Sequence, residues 1–324
     1  MRESSKKFKH KHSLGQNFIV DEFIFDDIVR ESGITKDDLV LEIGPGNGAM
    51  TRTLCENAKY VVSVEVDKTL MPLLKENLKE YNNVKIINAD FLNCDFNIIL
   101  DAFKGGLAEL APTNNGLAVL APTNNGLRKR SPLHELTTAG IKVVANIPYY
   151  ITSPIIMALL TNPYIFEMTL MVQKEVGLRI IAEKGNKDFG VLTLACNYFA
   201  DTFGLFLVPR TAFFPVPKVD SAVVKFVKHR EFVKSVNEEE RARRDHSYER
   251  NIQSYEDDEN YKKLFKVIKA AFQERRKKLI NSLNNVLGID KAKLNDVIKE
   301  LGFSENVRAE ELSLDDYRKL IELI

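Results

Sequence analysis

The sequence predicts an α/β protein: a mostly parallel sheet followed by a small all-helical domain. Three observations carry that reading. Apolar runs of strand length alternate with helical periodicity over the first two-thirds of the chain. A glycine-rich turn joins the first of those runs to a helix. From Tyr261 to Ile324 the periodicity is helical throughout. In chain order, a helical pattern over Asp21–Ser32 precedes the strand LVLEIG (Leu39–Gly44) and a helix over Ala49–Ala58. YVVSVEVD (Tyr60–Asp67) is the next strand, followed by a helix over Thr69–Glu80 and the strand VKIINAD (Val84–Asp90). KVVANIPY (Lys142–Tyr149), a helix over Ser153–Leu160 and MTLMVQ (Met168–Gln173) continue the alternation. Strand–helix–strand steps imply parallel neighbours joined by right-handed crossovers. SAVVKFV (Ser221–Val227), after the Pro-punctuated VPRTAFFPVPKVD, is expected as an antiparallel addition.

The 324 residues are 44% hydrophobic and 28% charged with formal net charge +1, which suits one large domain plus one small one. No apolar run approaches the ~20 residues of a membrane span. MRESSKKFKHKHS is basic, but no apolar stretch follows it, which excludes a secretory signal. Cys55, Cys94 and Cys196 lack metal-ligand spacing and read as thiols in a reducing compartment, so a cytoplasmic location is expected and no metal is. Two segments break the rhythm. Residues 107–126 hold the tandem decapeptide LAELAPTNNG–LAVLAPTNNG, read as part of a loop insertion over about residues 97–140. Residues 229–260 are charge-rich and read as a linker or solvated insertion.

Chemistry enters at three successive strand ends. LEIGPGNGAMT carries Gly44, Gly46 and Gly48, which let a ligand approach the backbone beside a helix N-terminus. The spacing is G-x-G-x-G, not the G-x-G-x-x-G of dinucleotide sites. Glu65, about twenty residues on, can accept both hydroxyls of a ribose. Asp90, in NADF, can accept from an adenine amino group. One acid at a strand end usually caps a helix or meets solvent; three such ends in succession describe a nucleoside pocket. The glycine turn holds no Lys or Arg for a pyrophosphate, so the cofactor is a nucleoside without phosphates, and S-adenosylmethionine fits.

The fourth strand ends in Asn146-Ile147-Pro148-Tyr149. An exocyclic amine of a base is a poor nucleophile because its lone pair is delocalised into the ring. An amide oxygen and a backbone carbonyl accepting its two N–H bonds favour a more tetrahedral nitrogen, and fixed acceptors stabilise the charge that develops. Alignment against a sulfonium methyl supplies the rest. Tyr149 can stack on an unstacked base, and Pro148 stiffens the turn.

With these pieces in place the chain resembles the ribosomal RNA adenine N6-dimethyltransferase family, most closely its small-subunit branch. The matching segments are SLGQNFIVD, LEIGPGNGAMT, VEVD, NADF, NIPYYITSPI, QKEV, AFFPVPKVDSAVV, AFQERRKKLINSL and VRAEELSLDDYRKL. The resemblance implies a Rossmann-like, S-adenosylmethionine-dependent methyltransferase domain over residues 1–228 and a helical rRNA-binding domain over residues 261–324. It implies cofactor contacts from Asn17, Ile19, Gly44, Gly46, Glu65, Asp90 and Asn146. Asn146 and the Ile147 carbonyl would hold the target amine. Tyr149 and Phe213 would sandwich the base, although a lone phenylalanine in AFFPVP otherwise reads as core. The implied reaction is dimethylation of two adjacent adenosines near the 3′ end of small-subunit (16S) rRNA during ribosome biogenesis, by a monomer, without metal.

Affinity for RNA is expected from a basic arm, Lys7, Lys9 and Lys11 among its residues, and from Arg275, Arg276, Lys277 and Lys278 in a helix over Tyr261–Ile280. Other readings are a large-subunit (23S) adenine methyltransferase, a catalytically silent ribosome-assembly or transcription factor, and a dinucleotide oxidoreductase that the glycine spacing disfavours. Both insertions exceed the family's pattern, and the first enters the sheet just before Asn146.

Overall fold

The computed structural model describes residues 18–21, 23–110, 140–233 and 259–324. Its main sheet has seven strands in the order β4-β3-β2-β5-β6-β9-β7. These are β2 (Leu39–Ile43), β3 (Tyr60–Glu65), β4 (Val84–Asn88), β5 (Ile141–Asn146), β6 (Ile165–Gln173), β7 (Ala200–Val208) and β9 (Ser221–Lys228). The pairings of β4, β3, β2, β5 and β6 are all parallel; β9 runs antiparallel to β6, and β7 antiparallel to β9. The antiparallel place expected for Ser221–Val227 is therefore observed.

Strand periodicity explains the layering. Leu39, Leu41, Ile43, Tyr60, Val62 and Val64 point into one apolar cluster, while Val40 and Val61 point into another on the opposite face. Both faces are covered, so LVLEI and YVVSVE are buried along their whole length. The second face is closed by α1 (Phe23–Ser32) and α2 (Ala49–Asn57), through Phe25, Ile28, Met50 and Leu54.

The other face departs from expectation. Residues 96–110, read as the start of a loop insertion, form the helix α4 (Phe96–Leu110). Ile99, Phe103, Gly106 and Leu107 recur at helical spacing and are buried on the sheet, where Phe103 meets Tyr60 edge-on at 6.4 Å. The turn signals of the repeat begin only after this stripe; residues 111–139, which hold most of the repeat, lie outside the described residues.

Three further differences have local causes. Residues 200–208 form an edge strand that sequence reading assigned to nothing, because ADTFGLFLV lacks clean alternation; its register slips between Gly204 and Phe206. A two-stranded ladder joins β1 (Phe18–Ile19) to β8 (Phe213–Phe214), with Ile19 opposite Phe213. The helix expected over Tyr261–Ile280 is two helices, α8 (Glu259–Gln273) and α9 (Leu279–Leu287). The basic run ERRKK sits in the turn between them, and at the start of α9 the Leu279 N–H donates to the Val307 carbonyl at 2.8 Å.

The C-terminal helices also include α10 (Lys291–Glu300), capped by Asp290, and α11 (Leu314–Leu323), opened by a Ser313–Asp316 capping box. They are not separated from the sheet domain by a solvated linker throughout. Phe232 is buried, and Tyr198, Phe199, Phe232, Tyr261 and Phe265 form one aromatic cluster across the junction, Tyr261 and Phe265 having ring centroids 4.4 Å apart. Residues 234–258 of the charged stretch lie outside the described residues.

Two neighbouring glycines of α4 test its packing. A Cβ on Gly106 would lie 1.9 Å from the Tyr60 ring, whereas one on Gly105 would meet nothing within 4 Å. Gly106→Ala is expected to cost about 1–3 kcal/mol by overpacking, and Gly105→Ala to gain up to about 1 kcal/mol from helix propensity. Chemical denaturation of both variants measures the contrast.

Candidate active site

The chain runs from β2 outward to β3 and β4, then returns to place β5 on the other side of β2. Strand order reverses between β2 and β5, and the crevice at such a reversal, beyond the carboxyl ends of the strands, is where open α/β sheets bind ligands. A cleft opens there. Its walls include Ile19, Gly44, Gly46, Glu65, Asp90, Asn146, Ile147, Tyr149 and Phe213, so one cleft gathers every cofactor and catalytic residue proposed from the sequence except Asn17. Asn17, Lys7, Lys9 and Lys11 lie outside the described residues.

The glycine turn is built for close approach. Gly44 and Gly46 have φ of 72° and 61°, in the region that side chains disfavour. The Gly44 N–H donates to the Val64 carbonyl at 3.0 Å, and the Gly46 N–H donates to Glu65 Oε2 at 3.2 Å. Glu65 therefore holds the turn while facing the cleft. Its Oε1 accepts from the Asp67 N–H at 2.7 Å. Burial raises the Glu65 pKa, and these two backbone donors oppose the rise. Each carboxylate oxygen keeps a second lone pair for a ligand hydroxyl.

Asp90 is exposed on the wall of the cleft, and it caps the short turn Phe91–Asn93 by accepting from the Leu92 N–H at 3.1 Å and the Asn93 amide at 2.7 Å. Asn146, the last residue of β5, stands beside the glycine turn: Ile43 pairs with Ala145, and a Cβ on Gly44 would lie 4.0 Å from the Asn146 carbonyl. The Ile147 side chain is buried and its N–H donates to the Met171 carbonyl at 3.0 Å. What Ile147 can offer a substrate is its carbonyl. Tyr149 opens a 3-10 turn, and Phe213, 2% exposed, is a wall of the cleft that is also packed with Ile19 and Phe25.

Sequence reading missed Glu42. This carboxylate, in the middle of β2, is fully buried and lines the cleft. Oε2 accepts from the hydroxyls of Thr51 and Ser63, both at 2.7 Å, while Oε1 is buried without a partner among the described residues. Burial pushes its pKa up to about 7, against the two hydroxyl bonds. The available signal was a single acid inside an otherwise apolar strand. A carboxyl group on the cleft wall with one oxygen unpartnered among the described residues suits a cationic ligand, and with Glu65 it makes the cleft acidic where a pyrophosphate would be repelled. These residues fit S-adenosylmethionine, a nucleoside carrying an ammonium and a sulfonium.

The comparisons with known proteins agree with this chemistry. The family model for ribosomal RNA adenine dimethylase matches residues 7–241. The chain belongs to that family. It is an rRNA adenine dimethyltransferase, and its cofactor is S-adenosylmethionine. A relative from Lachnoclostridium phytofermentans, described as ribosomal RNA small subunit methyltransferase A, is 39% identical over 98% of this chain and 92% of its own. One of the same description from Caldanaerobacter subterraneus is 38% identical over 96% of each chain. In fold, the dimethylase resembles a dimethyladenosine transferase from Plasmodium falciparum, with a TM-score of 0.65 at 23% identity over 94% of this chain and 95% of that one. It also resembles the 23S rRNA methyltransferase ErmE, with a TM-score of 0.61 at 21% identity over 95% and 99%.

Outside the cleft, the exposed Lys262, Lys263, Lys266 and Lys269 lie on the face of α8 opposite the buried Tyr261, Leu264, Phe265 and Ile268. Arg276 and Lys278 are exposed in the following turn. Lys277 pairs with Glu274 at 2.6 Å. Arg275 points the other way: its guanidinium donates to the carbonyls of Lys187 and Phe189, tying the helical domain to the sheet domain.

The buried acid makes a signed prediction. Folded Glu42 keeps a proton between about pH 4.5 and 7 that the unfolded chain has released. Its contribution to stability is therefore full below about pH 4.5 and is lost as pH rises toward 7, by on the order of 3 kcal/mol. Glu42→Gln should flatten this fall. Melting curves of both proteins across pH 4.5–7.5 measure it, and parallel slopes would contradict the assignment.

Proposed function

We propose that this dimethylase methylates the N6 amines of two adjacent adenosines in the 3′-terminal hairpin of small-subunit rRNA, as a cytoplasmic monomer acting in ribosome biogenesis. The observation that carries the reading is the cleft itself, where a nucleoside-binding wall at β2–β4 meets Asn146-Ile147-Pro148-Tyr149 at the end of β5. The small-subunit target is favoured by relatives of that description covering more than nine-tenths of both chains.

S-adenosylmethionine supplies an electrophilic methyl group on its sulfonium. Gly44 and Gly46 let it lie against the backbone, Glu65 accepts its ribose hydroxyls, and Asp90 accepts from its adenine. Glu42, on the wall of the same cleft, favours the charged end. On the substrate side, the Asn146 amide oxygen and the Ile147 carbonyl accept the two N–H bonds of the adenine amine. As nitrogen takes on positive charge those N–H groups become stronger donors, so the two acceptors bind the transition state better than the ground state. Tyr149 covers the base, and Phe213 closes the wall behind it. The methylated nitrogen is strongly acidic, so no side-chain base is needed to remove its proton. The lysine face of α8, with Arg276 and Lys278, neutralises RNA phosphates and supplies sequence-independent affinity.

The test is transfer of label from S-adenosylmethionine to undermethylated small subunits, with the product mapped. Dimethylation at adjacent adenosines near the 3′ end is expected. Label in large-subunit RNA would move the target to that subunit, and cofactor binding without transfer would make the protein a silent assembly factor. Asn146→Ala should lower the rate at least about 100-fold, the loss of one preorganised acceptor, with an unchanged melting temperature.

A further inference from the structure

Tyr149 carries a hydroxyl that stacking on a base does not require. That hydroxyl lies 2.6 Å from Ser221 Oγ, and either atom can donate. Ser221 is 0% exposed. It is the first residue of β9, paired with Gln173 at the end of β6 and with Val208 at the end of β7. Its hydroxyl is therefore fixed by three strands at the same edge of the sheet that carries the cleft. Burial raises the Tyr149 pKa, so the phenol stays neutral. The Tyr149 ring is held at both ends: by its own backbone in the Pro148–Tyr149 turn, and at the para position by Ser221. A bond at the far end of the ring restrains both side-chain torsions of a tyrosine, which fixes the plane a base would stack on.

Resting on the reading of Tyr149 as the base-covering ring, we infer that Ser221 is a positioning residue for the methyl-accepting adenosine. It acts on the substrate only through Tyr149, by holding the ring in its stacking plane. The arrangement also explains why a buried hydroxyl begins β9 in SAVVKFV, where the alternating apolar residues need none.

Four variants test this: Tyr149→Phe, Ser221→Ala, their combination, and Tyr149→Ala. Each is assayed on undermethylated small subunits, alongside its dissociation constant for S-adenosylmethionine and its melting temperature. Tyr149→Phe and Ser221→Ala are each expected to lower kcat/KM for RNA about tenfold while leaving the cofactor constant unchanged. Because both delete one bond, the double variant should also be down about tenfold. A hundredfold, additive loss would mean that the two residues act separately and would overturn the inference. So would wild-type activity in Tyr149→Phe, a variant that keeps the ring and so guards against a folding defect in Ser221→Ala. An inactive Tyr149→Ala beside fully active single-bond variants would leave the base-stacking reading intact and remove the role of Ser221. A fully active Tyr149→Ala would remove both.

Discussion

The parallel pairing of β2 with β5 is the contact on which the site depends. These strands are neighbours in space but are separated in sequence by two strands and their helices. Their register, Leu39 opposite Ile141 through Ile43 opposite Ala145, brings both carboxyl ends to the same height. The glycine turn then leaves one strand exactly where Asn146 ends the other. Slip the pairing by one residue and every side chain of β5 changes face. Asn146 would then enter an apolar layer, and Val144 would lose its place in the core. Packing on both faces of the sheet therefore enforces the alignment of cofactor turn and amide. The strand alignment rests on the burial of Val143, Val144 and Ala145, while the bond from the Gly46 N–H to Glu65 holds the turn beside it.

Within that frame the polar groups are costly by design. Glu42 and Glu65 are both buried, and burial raises the pKa of both. Two nearby carboxylates in a low-dielectric wall disfavour each other's ionised form, a coupling felt at Glu42. A cation in the cleft relieves both penalties at once, whereas an anion adds to them. The site thus selects its ligand partly through what it lacks, since no Lys or Arg is among the described residues that line its walls. This is the physical content of the difference between a glycine turn that meets a pyrophosphate and one that meets a methionine-bearing nucleoside.

The parts legible in the sequence are those specified by local pattern. LVLEIG, YVVSVEVD and VKIINAD announce themselves by composition, and the acids at their ends follow from strand length alone. Asn146 and Tyr149 were visible for the same reason. What escaped depends on partners remote in sequence. Helix α4 was obscured because its stripe runs straight into the turn-rich repeat, so composition after residue 110 coloured the reading before it. The start of the helix after the break at Gln273 is tied to Val307, remote in sequence, whose carbonyl takes the Leu279 N–H. Arg275 looked like part of an RNA-binding run, yet its guanidinium is spent on two carbonyls of the sheet domain. Glu42 was passed over because an acid inside a strand has no motif; only its orphaned oxygen marks it.

The short ladder between Phe18–Ile19 and Phe213–Phe214 joins what the sequence keeps almost two hundred residues apart. Ile19, proposed for the cofactor side of the cleft, is paired with Phe213, proposed as its wall on the base side. Two residues per strand make a weak ladder, and its stability must come from side chains: Ile19 and Phe213 are both buried in the cluster that holds Phe25 and Met50. Phe25 and Met50 also line the cleft, so a ligand seated there rests on the same apolar layer that holds the ladder together. Anything that orders that layer strengthens the Ile19–Phe213 pairing and with it the wall behind the base. The two halves of the reaction site are in this way parts of one packed unit. A change that loosens Ile19 should be felt by the RNA substrate as well as by the cofactor.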